Sequence, residues 1–98
     1  MLFNAHQSKI WFSMIKSIAD FRKGELRYFD LVYNLEGALD AGEFEDSNLL
    51  EEWYIFWTPL EILYAVKGNS VTAKDANKYI ADMESFLKRT SRSTSTSM

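Results

Sequence analysis

The side chains able to do chemistry in this 98-residue chain are almost all carboxylates: 14 Asp and Glu, one histidine and no cysteine. Without cysteine there is no thiolate nucleophile and no disulfide, which fits a reducing compartment. Zinc would have to be held almost wholly by carboxylates, and the Glu-x-x-His pairs of di-iron helical bundles are missing. The one histidine, His6, lies close to the N-terminus and reads as a surface residue. Gly24, Gly37, Gly42 and Gly68 are too widely spaced to form a phosphate-cradling loop, and no serine sits in a nucleophile elbow. No catalytic constellation is assembled, so the sequence predicts a binding chain rather than an enzyme, with no cofactor and no metal.

What the carboxylates do have is a strongly uneven distribution. Between Tyr28 and Val66 there is no lysine or arginine, while Asp30, Glu36, Asp40, Glu43, Glu45, Asp46, Glu51, Glu52 and Glu61 are all acidic. The net charge of −3 therefore conceals +3, −9 and +3 in chain order. Glu36 and Asp40 are four apart and share a helical face. Glu43, Glu45 and Asp46 fall in a loop, and Glu51 and Glu52 open the next helix, so seven carboxylates are expected to converge at one corner. Such a corner is either a solvated loop balanced by neighbouring basic helices or an anionic surface that steers a basic partner into contact. Direct binding of nucleic acid is disfavoured, because this central face would repel phosphates.

The run Trp53-Tyr54-Ile55-Phe56-Trp57 adds a second feature. Five consecutive large side chains must point around most of a helix, so they cannot all face one core. Trp53, Phe56, Trp57 and Leu60 fit an inner stripe. Tyr54 is the one expected outside, beside the acidic corner, where a tyrosine can anchor an interface.

The elements that must position these residues are helices. Trp11, Met14, Ile15, Ile18 and Phe21 recur at three-and-four spacing and predict a helix over about 7–22. A second, from about Glu25 to Ala41, carries Phe29, Val32, Leu35, Ala38 and Leu39 inward and stops at Gly42. Whether Gly24 separates these two helices or bends one is left open. Asp46 or Ser47 caps a third helix beginning near Asn48, and Pro59, in the capping-box form Thr58-Pro59-Leu60-Glu61, is expected to kink or restart it. Thr72 with Asp75 signals a fourth helix, bearing Ala76, Tyr79, Ile80, Met83, Phe86 and Leu87 and ending near Arg89. Short connections predict an all-α, up-and-down antiparallel bundle of about four helices. Residues 1–89 form its single domain, and 90–98 a Ser/Thr-rich disordered tail. A chain of this length builds one core, burying about 60 to 65% of its unfolded surface. No apolar stretch approaches a membrane span, so neither secretion nor membrane insertion is expected.

Three segments resemble a known group of proteins: Phe21-x-x-Gly24-Glu25, then Leu31-Val32-x-x-Leu35-Glu36-x-Ala38-Leu39, then Trp53-x-x-Phe56-Trp57-x-x-Leu60-Glu61-x-x-Tyr64-Ala65. Over about residues 20–66, mainly at core-type positions, the chain is similar to small helical bacterial immunity proteins of polymorphic toxin systems such as contact-dependent growth inhibition. The resemblance implies a cytoplasmic inhibitor that binds one toxin domain, commonly a nuclease, and carries over no catalytic residue. The acidic corner suits the same reading, since a nuclease presents a basic cleft. The expected partner surface is Glu36, Asp40, Glu43, Glu45, Asp46, Glu51, Glu52 and Tyr54. The alternative is a structural or adaptor bundle without a toxin partner, such as a homodimer that buries surplus aromatics like Tyr28, Tyr33 and Tyr54.

Overall fold

A computed structural model describes residues 3–95. Helix α1 spans Ala5–Arg22, α2 Tyr28–Ala41, α3 Ser47–Lys67 and α4 Ala73–Ser95, with a single 3₁₀ turn at Gly68–Ser70. No strand occurs among the described residues. Each helix start has a chemical cause. Asn4 accepts the Gln7 amide while the Gln7 side chain accepts the Asn4 amide, a capping box that starts α1 two residues before the periodicity suggests. The Asp46 carboxylate accepts the Leu49 amide and starts α3. Thr72 and Asp75 cap each other at α4 as their spacing predicts, and these amide and hydroxyl bonds, with Lys67 alongside, hold the Asp75 carboxyl below its ordinary range.

Gly24 breaks the chain rather than bending it. Its φ of +78° is left-handed, Gly24 N–H bonds to Phe21 C=O, and Glu25 N–H reaches back to Asp20 C=O. This double closure satisfies the last carbonyls of α1 and delays α2 to Tyr28. Pro59 does not restart α3, which stays helical through it. The carbonyl orphaned by its missing N–H belongs to Ile55, whose side chain is exposed, away from the core. The fourth helix also runs past its expected end at Arg89 to Ser95, so residues 90–95 are helix rather than disordered tail. Serine and threonine there are only weak helix formers, and nothing as disruptive as glycine or proline intervenes. The expected tail at 96–98 lies outside the described residues.

The four helices run antiparallel to their neighbours around one core. Buried polar handles on aromatic rings tie the pairs together: Trp11 Nε1 donates to Leu87 C=O at 2.8 Å, Trp57 Nε1 to Val32 C=O at 2.9 Å, and Tyr28 OH to Leu60 C=O at 2.6 Å. Each bond joins the start of one helix to the far part of its partner or the middles of two, as an up-and-down bundle requires. The core holds Trp11, Met14, Ile18, Leu31, Val32, Leu35, Trp53, Leu60, Ile80, Met83, Phe86 and Leu87, all essentially without solvent contact. Two residues assigned inward from periodicity, Phe29 and Tyr79, are exposed instead. Trp53 Nε1 is buried without a hydrogen-bond acceptor, and nothing in the structure explains it.

Candidate functional site: an acidic face with exposed tyrosines

The loop Gly42–Asp46 decides where its carboxylates go, and Phe44 decides the loop. Phe44 turns inward and packs edge-on against Phe3 and Trp11, at centroid distances of 5.1 and 5.3 Å. A Cβ on Gly42 would run into the Phe44 ring, so the chain needs glycine where that ring crosses. Glu43, between them, is held at φ +51°, a left-handed conformation costly for a side-chain-bearing residue. Helix α1 fastens the loop from outside. Gln7 Nε2 donates to Gly42 C=O at 3.1 Å, and His6 Nε2 lies 3.2 Å from Ala41 C=O. These contacts satisfy terminal carbonyls of α2. His6 is exposed, as expected, yet it serves α2 rather than fraying with the terminus. Phe3, Asn4, Gln7, Glu43 and Glu45 border a cleft of about 460 Å³.

Not all seven carboxylates share one corner, because Glu52 turns away to Arg89 of α4. Glu43 and Glu45 are exposed on the loop, and Asp46 is engaged as the cap of α3. Glu36 and Asp40 on α2, and Glu61 on α3, are the acids whose charges act on Tyr54 of α3. Tyr54 is 40% exposed, as its place in the aromatic run predicts. Partial burial pushes its phenol above the ordinary range, and the charges of Glu36, Asp40 and Glu61 push the same way. Glu52 points to the other side of α3 and pairs with Arg89 of α4 at 3.0 Å. That removes it from the anionic face, because its position around α3 turns it toward the α4 groove. Glu51 is exposed. The ion pairs among the described residues draw on Asp20, Asp30, Glu52, Asp75, Asp82 and Glu84, and not on Glu36, Asp40, Glu43, Glu45, Asp46, Glu51 or Glu61.

The same α2–α3 groove continues into an aromatic patch in which Tyr33, expected on the surface, is joined by Phe29 and Tyr64, which were not. Phe29 and Tyr33 stand 4.7 Å apart on α2, and Tyr64 of α3 meets them at 5.5 and 6.1 Å. Phe29, Tyr33, Glu36 and Asp40 are spaced four, three and four, a second stripe beside the buried one, and this was the signal available. Tyr28, expected among surplus surface aromatics, is fully buried. The groove thus presents ring faces at one end and carboxylates around a tyrosine at the other, the chemistry that receives lysine and arginine side chains. Among the described residues, no group of three or more His, Asp or Glu is placed to hold a metal ion, and no helix is long and apolar enough to cross a membrane. Comparison with protein families, with curated proteins and with solved structures finds no match to this chain.

Proposed function

We propose that the chain is an immunity protein, a cytoplasmic inhibitor that binds a cognate basic toxin domain, of nuclease type, through its α2–α3 face, as in contact-dependent growth inhibition. The observation that carries the reading is Tyr54, exposed and within electrostatic reach of Glu36, Asp40 and Glu61 in a stretch of 39 residues without a lysine or arginine. A surface of one sign accelerates encounter with an oppositely charged cleft, by about 10- to 1,000-fold at low salt. Tyr54 and Tyr33 then supply rigid amphipathic contact area of the kind that anchors interfaces. Occupying a nuclease's phosphate-binding cleft needs no chemistry from the inhibitor, so no catalytic residue, metal or cofactor is part of the proposal. The competing reading is an adaptor or structural bundle without a toxin, and the apolar residues on the outer face of α3 favour it.

The test uses the C-terminal domain of the protein encoded immediately upstream of this gene. Its association with the chain is followed at low and physiological salt. The association rate is expected to fall steeply with salt, and the double variant Glu36→Lys/Asp40→Lys to slow it about tenfold or more with an unchanged melting temperature. Association that ignores both salt and charge reversal contradicts the electrostatic mechanism.

A further inference from the structure

Helix α3 carries a second apolar stripe opposite its buried one. Leu49, Trp53, Trp57 and Leu60 are buried, yet Ile55, Ile62 and Val66 are 67%, 58% and 76% exposed. A helix at a surface normally turns polar residues outward, so an exposed apolar stripe is a surface that a partner can cover. With Pro59, these residues fall at 55, 59, 62 and 66, spaced four, three and four, which is the spacing of a coiled-coil seam. The seam runs about 16 Å along the helix. It lies off the face of Tyr54 and Glu61, which each precede a seam residue by one position and so sit about 100° round the helix from it.

We infer that a second copy of this chain covers the seam, with the two α3 helices packed antiparallel about a two-fold axis. The spacing reads the same in both directions, so the axis passes midway between Pro59 and Ile62. Ile55 then meets Val66 of the second copy, and Pro59 meets its Ile62. An isologous contact of this kind closes on itself and stops at a dimer. The seam's flank toward α2 carries Thr58 and Ala65, small and uncharged, with Glu51 at its N-terminal end. Charge complementarity sets the direction. The N-terminal end of α3 carries exposed Glu51, the opposite end leads to exposed Lys74 at the start of α4, and neither is in an ion pair among the described residues. Antiparallel pairing brings Glu51 toward the second copy's basic end, whereas parallel pairing would set acid beside acid and base beside base. On the α4 side, Ile55, Phe56, Pro59, Lys78, Tyr79 and Asp82 border a hollow of about 210 Å³ that can receive a large side chain from the facing helix. The seam is shorter than a standard stable interface needs, so the dimer is concentration-dependent. The toxin-binding proposal neither requires nor excludes it.

Two measurements on the chain alone test the dimer. In sedimentation between ~10 and ~500 μM, a span that brackets weak association, the average mass is expected to rise toward twice the monomer. Ile62→Lys should hold it at the monomer with an unchanged helical melt. The native chain has no cysteine, so single cysteines report register cleanly. On mild oxidation, Ile55→Cys mixed with Val66→Cys should cross-link far faster than either variant alone. A wild-type chain that stays monomeric would overturn the inference and leave the seam to a different protein. A dimer that survives Ile62→Lys, or one in which Ile55→Cys cross-links best to itself, would overturn it equally.

Discussion

Single residues carry more of this bundle's specificity than their number suggests. Tyr28 is buried with its hydroxyl committed to Leu60 C=O, and burial pushes its phenol far above the ordinary value of 10. A raised folded-state value means that the stability it contributes is complete below pH 10 and is lost as pH rises toward the folded value. Tyr28→Phe keeps the ring and removes the ionisable group. It should cost about 1 kcal/mol at neutral pH and flatten the alkaline loss of stability, as a thermal melt across pH 9 to ~12 would show. Equal alkaline sensitivity in both proteins would remove Tyr28 as its source. Gly42 works by absence. Gly42→Ala sets a methyl against the Phe44 ring, and either the ring or the strained Glu43 turn must move. A loss of about 1–3 kcal/mol in denaturant unfolding is expected, the usual penalty of overpacking.

At the scale of elements, caps and ion pairs decide where helices begin and how they lie together. Arg22 at the end of α1 pairs with Glu84 of α4 at 2.7 Å, and Lys88 approaches the same carboxylate. Burial acts to raise the Glu84 value, and these two cations outweigh it, so the carboxyl sits below its ordinary 4.5. A depressed folded-state value gives stability that is complete above pH 4.5 and lost as pH falls through the depressed value. Glu84→Gln should therefore lower the melting temperature at neutral pH and narrow its gap to wild type as pH drops below ~4. A gap constant across that range would show that the pair is not responsible. The sequence made the helices legible because amphipathic spacing and capping chemistry are local. Thr72 with Asp75 and Asp46 before α3 could be read directly. The behaviour of Pro59 could not, since it depends on where its freed carbonyl finds a partner, nor could the reach of α4 through weak helix formers.

For the whole molecule, the segregated charge was plain in the sequence, but its placement was not. Periodicity puts Glu36 and Asp40 on one face, yet only the packing of α2 against α3 reveals that Tyr54 and Glu61 complete it. The same packing shows that Glu52 answers to Arg89 instead. Phe44 escaped notice because it sits among acids in a five-residue loop, and its burial depends on Trp11 and Phe3, more than 30 residues away in sequence. The assembled molecule has an anionic, tyrosine-bearing groove on one side, while its basic residues belong to α1 and α4, the segment between α1 and α2, and Lys67 at the very end of α3. A control that reverses charge on that basic side, Lys9→Glu/Lys16→Glu, should leave toxin association unchanged or slightly faster. Slowing as large as that from reversal on the α2–α3 face would place the contact elsewhere.

The most direct test of the central claim is a growth measurement. The C-terminal domain of the upstream gene product is expressed alone, with the wild-type chain, and with the Glu36→Lys/Asp40→Lys variant. Arrest by the domain, full rescue by the wild type and weakened rescue by the variant at equal abundance are the predicted results. A harmless domain, or arrest that the wild-type chain does not relieve, would contradict an immunity function for this protein.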